Sequence, residues 1–166
     1  VVYEYDSRGL LRAMTDKKGD TTSYRYDTAG RLTRVKGPMG FMEEYTYDPR
    51  GLVTSATDKR GNLTRYSYNI PGQLAEITNP AGHRQTFTYD PAGNLLSMTD
   101  AGGAVTSYTY DPVGRMLTVT APTYTEELSA VTRYEYDAAG RLVAMTSPEG
   151  GLTLYSYDAL NRLTSV

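Results

Sequence analysis

The pair Tyr-Asp returns along the chain at a nearly fixed spacing, and this spacing restricts the possible folds more than any other feature. Eight copies occur, most of them 21 residues apart, with one longer step of 26 residues before Tyr136. A period of this length is typical of stacked repeat architectures, in which each repeat contacts its neighbours. The sequence therefore predicts one array of about eight repeats over residues 1–166, with a five-residue insertion within residues 120–130.

Aromatic residues serve this repeat almost exclusively. Fifteen of the 16 tyrosines occupy two of its positions, and the chain has only two phenylalanines and no tryptophan. Each copy has an aromatic residue two positions before the Tyr-Asp tyrosine, and most have a glycine three positions after the acid. The predicted structural positions are Tyr5, Asp6, Gly9, Tyr24, Tyr26, Asp27, Gly30, Tyr45, Tyr47, Asp48, Gly51, Tyr66, Tyr68, Asn69, Gly72, Phe87, Tyr89, Asp90, Gly93, Tyr108, Tyr110, Asp111, Gly114, Tyr134, Tyr136, Asp137, Gly140, Tyr155, Tyr157, Asp158 and Asn161.

The residues before each acid alternate between two kinds. Thr22, Tyr24 and Tyr26 alternate with Ser23 and Arg25, which is the period of a strand with an aromatic face and a polar face. Tyrosine and threonine also favour strands. If hairpins stack side by side, we expect like positions of neighbouring repeats to align as two ladders of tyrosines.

Turn chemistry follows each strand. An acid at the first turn position can accept a hydrogen bond from a backbone N–H two residues on, and glycine at the fourth position tolerates positive φ. Asn69 and Asn161 replace the acid and the glycine with residues that suit the same roles. A second turn, such as Asp16–Gly19, closes each repeat.

A second strand lies between the two turns, with apolar residues three positions apart, as in Leu32 and Val35. Residues at i and i+3 face opposite sides of a flat strand. Either a bulge lies between them or both faces are partly covered, and the bulge is favoured. The predicted fold class is all-β: antiparallel β-hairpin repeats stacked into a sheet that coils, because adjacent strands rotate by roughly 20–25°.

No residue pattern indicates catalysis. His83 is the only histidine, and its counterparts include Asp20, Phe41 and Ala104, so an exposed loop position is favoured over a catalytic base. The turn acids could be read as calcium ligands, but such ligands must converge on one ion. The chain has no cysteine, and nothing singles out two of its 19 acids as a glycosidase pair. We therefore predict no catalytic, metal-binding or cofactor-binding residues, and no enzymatic activity.

Charge and hydropathy argue against two classes of partner. The net charge is −2 with both signs interspersed, so nucleic acid is not expected as a partner. No apolar run approaches the ~20 residues that a membrane span needs. The chain also starts and stops inside a repeat, which leads us to expect a fragment of a longer array.

The motif Tyr-x-Tyr-Asp-x-x-Gly-Arg-Leu, present at Tyr24–Leu32 and Tyr134–Leu142, resembles the YD repeat of the Rhs (rearrangement hotspot) family. This resemblance implies part of a β-cocoon shell, as in bacterial Rhs toxins, insecticidal toxin complexes and teneurins. It implies as partners the remainder of the shell, an enclosed C-terminal toxin and secretion-apparatus proteins, often of type VI. It also implies a delivered bacterial effector made in the cytoplasm. The segment that supports self-cleavage in the family is absent here, so no protease residue is carried over.

Two other functions are compatible with ordered tyrosines. The first is an extracellular adhesion module that binds glycans or a partner surface, in which some tyrosines should be exposed beside polar neighbours. The second is a hydrolase, which would require a cleft with converging acids. In a shell wall, by contrast, the tyrosines should pack against the neighbouring repeat.

Overall fold

The computed structural model describes residues 1–123 and 130–166, and their regular structure is almost entirely β-strand. The chain divides into two compact units, Val1–Arg84 and Gln85–Val166. Of the insertion predicted within 120–130, residues 124–129 lie outside the described residues. The predicted all-β class with antiparallel hairpin repeats is confirmed.

The first unit consists of hairpins joined in sequence order. Each strand from β1 to β7 pairs antiparallel with the next one along the chain. A short 3₁₀ turn, Pro38–Gly40, lies between β4 and β5. The strands are β1 Val2–Tyr5, β2 Leu11–Thr15, β3 Thr21–Tyr26, β4 Leu32–Lys36, β5 Met42–Tyr47, β6 Val53–Thr57, β7 Leu63–Tyr68 and β8 Leu74–Thr78.

The second unit repeats this arrangement. Strands β9 to β15 pair antiparallel in order, and β16 pairs with β17 as a separate hairpin. The last tyrosine-bearing strand is interrupted at Tyr155, between β15 and β16. The strands are β9 Arg84–Tyr89, β10 Leu95–Thr99, β11 Val105–Tyr110, β12 Met116–Ala121, β13 Ala130–Tyr136, β14 Leu142–Thr146, β15 Leu152–Leu154, β16 Ser156–Tyr157 and β17 Leu163–Ser165.

A bulge interrupts the pairing inside each hairpin. In the β3–β4 hairpin Tyr26 lies opposite Leu32 and Arg25 lies opposite Arg34, which leaves Thr33 as the extra residue. The same shift recurs in the other tyrosine hairpins of both units. Leu32 and Val35 therefore both lie on the tyrosine face, and the bulge predicted from their spacing is confirmed.

Neighbouring repeats are staggered along the strand direction. Tyr24 lies opposite Val35, and Val35 in turn lies opposite Glu43, two residues before the next equivalent tyrosine, Tyr45. The prediction that like tyrosines align directly is wrong, because the row through Tyr24 and Val35 reaches Glu43 and not Tyr45. A two-residue offset over two strands tilts the strands by about 35°, the tilt found in closed barrels.

The longer repeat keeps this stagger. Tyr108 lies opposite Val119, and Val119 lies opposite Thr132, again two residues before the next tyrosine, Tyr134. The β12–β13 ladder extends to the pair Ala121 and Ala130. The stagger between repeats is therefore the same here as in the 21-residue repeats.

Each unit is a single layer of strands. Among the described residues only Ala13 and Ala144 are buried. The polar residue between the two aromatics is exposed in each described repeat, whereas both tyrosines are half-buried in most repeats. The sheet thus has one half-covered aromatic face and one solvated polar face, in place of a conventional core.

The two adjacent glycines in the turn after β10 allow us to test whether the positive φ of the turn requires glycine. Gly103 has φ +87° and Gly102 does not have a positive φ. We expect Gly103→Ala to lower the free energy of unfolding by about 1 to 2 kcal/mol, because an L-residue pays this cost in the left-handed region. Gly102→Ala, one residue away, should change it little. Urea denaturation of both variants measures the difference, and equal effects would contradict the expectation.

Candidate functional site: contacts that join the repeats

The two ends of each hairpin are joined to the next hairpin in different ways. Between β2 and β3 the backbone ladder runs from Thr15 opposite Thr21 to Ala13 opposite Ser23, and it ends there. The ladder therefore covers the end near the second turn only. At the other end, near the Asp-x-x-Gly turn, side chains make the connections between repeats.

The turn acid organises its own loop first. Asp27 Oδ1 accepts hydrogen bonds from the backbone N–H of Ala29 and of Arg31, both at 2.9 Å. The Gly30 N–H donates to the Asp27 carbonyl at 3.1 Å. The bond from the residue two positions on is the one that the sequence predicted for this turn.

The other predicted turn positions follow the same plan. The residue at the acid position accepts a hydrogen bond from the N–H four residues on, in the turns at Asp6, Asp48, Asn69, Asp90, Asp111, Asp137 and Asp158. Asn161, which replaces glycine, adopts φ +61°. Positive φ also occurs at Gly9, Gly30, Gly51, Gly72, Gly93, Gly114 and Gly140.

An arginine side chain connects the turn to the next repeat. Arg31 Nε donates to Asp27 Oδ2 at 2.6 Å, and its Nη1 donates to the carbonyl of Asp48 at 3.0 Å. The same guanidinium lies over the ring of Tyr47, 4.8 Å from the ring centre. One side chain therefore ties a turn acid to the backbone and the tyrosine of the following repeat, and we call this arrangement the arginine clamp.

The clamp recurs in the second unit, with one change of partner. Arg115 Nη1 donates to the carbonyl of Asp137 at 3.4 Å, whereas Arg141 Nη1 donates to the side-chain oxygen of Asn161 at 2.9 Å. Arg115 and Arg141 pair with Asp111 and Asp137 through their Nε atoms. Their guanidinium groups lie 4.9 and 5.1 Å from the ring centres of Tyr136 and Tyr157, respectively. Because these arginines are half-buried, their bonds lose less to solvent screening than those of exposed surface pairs.

Two repeats supply the guanidinium from a different position. Arg8 and Arg50 lie two residues after the acid instead of four, and a leucine occupies the usual arginine position. Each still donates through Nε to its turn acid, and through Nη1 to the backbone carbonyl of the next turn, Asp27 or Asn69. This role was not predicted from the sequence, because the arginine does not occupy the same position in every repeat.

The second tyrosine makes a further link in five of the repeats. The Tyr26 hydroxyl donates to the carbonyl of Leu11, at the point where the ladder between β2 and β3 has already ended. A side-chain donor thus pairs a backbone carbonyl beyond the ladder. The same bond spans 15 residues at Tyr47, Tyr68, Tyr110 and Tyr157, with distances of 2.6 to 2.9 Å.

These contacts shift ionisation in two directions. The Arg31 backbone N–H, with its side chain, lowers the pKa of Asp27 below the ordinary value of 3.8. The same contacts from Arg141 lower the pKa of Asp137. Burial raises the pKa of Tyr68 above 10.0, with a smaller contribution from Tyr66. The lowered pKa keeps Asp27 and Asp137 charged, and the raised pKa keeps Tyr68 neutral, over a wider pH range.

The positions considered for catalysis and metal binding are separated. His83 is exposed in the turn after β8, and its N–H donates to Asn79 Oδ1 at 3.0 Å. Within residues 1–123 and 130–166, no three His, Asp or Glu side chains cluster as metal ligands would. The turn carboxylates are instead occupied by N–H groups of their own loops.

Comparison with known proteins identifies the repeat. The family model of the teneurin YD-shell matches residues 3–166. The chain belongs to the teneurin YD-shell family. The YD-repeat resemblance inferred from the tyrosine, acid and glycine positions is therefore confirmed. No curated protein matches the chain.

Solved structures share the YD-shell fold. The chain superposes on a chain of the Photorhabdus luminescens Tc holotoxin pore with a TM-score of 0.76 and 20% identity, over 99% of this chain and 10% of that one. It superposes on the TcdB2-TccC3-Cdc42 structure with a TM-score of 0.65 and 17% identity, over 98% of this chain and 12% of that one. The YD-shell chain spans about a tenth of the length of these proteins.

Membership of the YD-shell family points to a structural role for these repeats. The observed contacts agree with this role, since they link one hairpin to the next. In the described part of the YD-shell chain, no helix is long and apolar enough to cross a membrane.

Moving the guanidinium within one YD-shell turn tests the arginine clamp. We expect Arg31→Leu to lower the free energy of unfolding by about 1 to 2 kcal/mol, through loss of the bond to the Asp48 carbonyl and of the stacking on Tyr47. Adding Ala29→Arg creates the arrangement seen at Arg8, so the double variant should recover at least half of the loss. Urea denaturation measures both, and a double variant no more stable than Arg31→Leu would contradict the clamp.

Stability should fall at both ends of the pH scale. A carboxyl whose folded pKa lies below its unfolded value of 3.8 stabilises the fold fully above that value, and this contribution is lost as the pH falls below it. A tyrosine whose folded pKa is raised stabilises the fold fully below 10.0, and loses this contribution as the pH rises further. The urea concentration at the unfolding midpoint should therefore be constant between these two pH values and fall outside them.

Replacing Asp27, Asp111 and Asp137 by asparagine should reduce the fall of this midpoint at acidic pH. An equally steep fall in the variant would contradict the explanation.

Proposed function

We propose that this chain is a stretch of the wall of a larger shell that encloses and shields a polypeptide, a C-terminal toxin of the same parent protein. The wall is non-enzymatic, and its partners are the remaining repeats of the shell and the enclosed chain. The observation that supports this proposal best is the arginine clamp, which bonds the turn of one hairpin to the backbone of the next.

The register supports a curved wall. Strands tilted by about 35° are those that close around a space in barrels. The stagger that produces this tilt is the same in both units and on both sides of the insertion. A single layer of strands with a constant stagger can be extended by adding further hairpins in the same way, and this suits a long wall.

The tyrosines favour a wall over the alternative of an adhesion module that binds glycans or a partner. In an adhesion module we expect tyrosine hydroxyls to be free to contact ligand. Here the hydroxyls of Tyr26, Tyr47 and Tyr68 donate to carbonyls of the preceding repeat. These tyrosines are thus occupied in joining repeats.

The proposal extends to delivery. We infer that the parent protein is a bacterial effector, made in the cytoplasm and then secreted or delivered, with a type VI apparatus as one route and bacterial competition as its setting. Its toxin would remain inside the shell until delivery. The family resemblance supports these finer statements.

Proteolysis of the intact parent protein tests enclosure. We expect the polypeptide beyond the shell to resist a protease that readily cuts it after denaturation. Replacing Arg31, Arg115 and Arg141 together by leucine removes three clamps, and should make that polypeptide susceptible. The matched control replaces the exposed arginines Arg12, Arg25 and Arg65, which form no ion pair with described residues.

Electron microscopy of the same preparation provides the second measurement. A closed cavity containing density supports enclosure. An open sheet, or equal protease susceptibility of the parent and the clamp variant, would overturn it and favour the adhesion module.

A further inference from the structure

One turn of the first unit departs from the others. Second turns elsewhere in the described residues start with Asp16, Asp58, Asn79, Asp100 or Ser147, whose side chains accept backbone N–H groups of the loop. Gly37 stands at this position between β4 and β5, and the loop continues through Pro38 and through Met39 at φ +61°. The 2.8 Å bond from the Gly37 N–H to the Phe41 carbonyl is kept. The hairpin therefore closes normally, while an aromatic residue replaces a polar one at its end.

A carboxylate lies beside this turn on the aromatic face. Glu43 occupies a position that holds threonine in Thr22, Thr64 and Thr106. It lies in the same row of the sheet as Tyr24, with Val35 between them. An acid at this point is unlike the rest of the aromatic face, where the paired positions are mainly tyrosine, threonine and aliphatic residues.

Two groups already contact the Glu43 carboxylate. The Tyr45 hydroxyl donates to Oε2 at 3.3 Å, which orients the group. Lys59 Nζ lies 3.5 Å from Oε1. The side chain of Lys59 is 66% exposed and that of Glu43 is 26% exposed. A flexible, solvated lysine thus places its ammonium group against a largely covered carboxylate, and this exposed lysine can be displaced at little cost.

The carboxylate opens into a cavity of about 260 Å³, lined by Tyr24, Val35, Pro38, Phe41, Glu43 and Lys59. Aromatic rings attract cations through their faces. A carboxylate accepts charge-assisted hydrogen bonds from ammonium groups. Two aromatic side chains, an aliphatic floor and one acid therefore match a charged amine on an alkyl stem, both in charge and in shape.

We propose that this cavity binds a primary alkylammonium group, which displaces Lys59 and donates to Glu43 with its alkyl stem beside Tyr24 and Phe41. A lysine side chain of a polypeptide and a free amine share this chemistry. The inference rests on contacts within the first unit alone, and it does not depend on the proposed shell function.

The two phenylalanines of the chain make a direct test possible. Phe41 lines the cavity, and Phe87 lies in β9 of the second unit, so ring-labelled phenylalanine gives one reporter and one internal control. In an NMR titration of the full chain with n-butylammonium chloride, we expect the Phe41 signals to move with saturation, and those of Phe87 to stay in place. Neutral n-butanol at the same concentrations should move neither.

Adjacent glutamates provide matched variants. Glu43→Gln should weaken n-butylammonium binding by about tenfold or more, because a hydrogen bond to a charged group is lost. Glu44→Gln should leave binding unchanged, since Glu44 accepts from Arg34 Nε at 2.8 Å on the polar face. Lys59→Met should tighten binding by removing the internal competitor. The Phe41 signals before ligand is added report whether the first unit of each variant remains folded.

The outcomes are distinct. A Phe41 shift that survives in Glu43→Gln, or equal shifts at both phenylalanines, would overturn the proposed site. Repeating the titration with Nα-acetyl-lysine-N-methylamide separates the two sources. Tighter binding than n-butylammonium indicates a polypeptide lysine, and equal binding indicates that the amine alone is recognised.

Discussion

The bulge in each hairpin is the constraint on which the rest of the wall depends. By adding one residue to the second strand, it places Leu32 and Val35 on the same face as Tyr24 and Tyr26. Near this bulged end, backbone pairing to the neighbouring hairpin stops, and the ladder between β2 and β3 ends at Ala13. Because buried backbone groups need partners, side chains must take over where the ladder stops. The tyrosine hydroxyl and the arginine clamp fill this role, and both bind main-chain carbonyls of an adjacent repeat.

Sequence patterns could predict those features that depend on local chemistry. The asparagines at Asn69 and Asn161 indicated the turn geometry, and the spacing of Leu32 and Val35 indicated the bulge. The stagger could not be predicted, since a period of two shows which face a residue occupies but not its partner on the next strand. The clamp could not be predicted either, because Arg31 and Arg50 bind their turn acids in the same way from different positions of the turn. Six of the eight turns carry an arginine two or four residues after the acid position. Within the described residues, five of these arginines bond to the next turn.

Nearest-neighbour bonding explains why single repeats can vary. When each hairpin is held mainly by the hairpins beside it, a change in one turn affects only adjacent contacts. In the turns at Asn69 and Asp90 the usual arginine is replaced by Gln73 and Asn94, and an amide pairs with the turn residue instead. The turn from Gly37 to Phe41 keeps its closing hydrogen bond although the usual acid is absent. The repeat can therefore acquire a local site, such as the one at Glu43, without loss of the wall.

The exposure of the aromatic face bears on what the wall contacts. Among the described residues only two alanines are buried, so the tyrosine rings remain partly accessible although several of their hydroxyls are occupied. A hydroxyl bonded to the neighbouring repeat leaves the ring face as the part of the tyrosine that another chain can touch. Recognition by this face would then depend on packing against the tyrosine rings, and Glu43 would add a negative charge at one position.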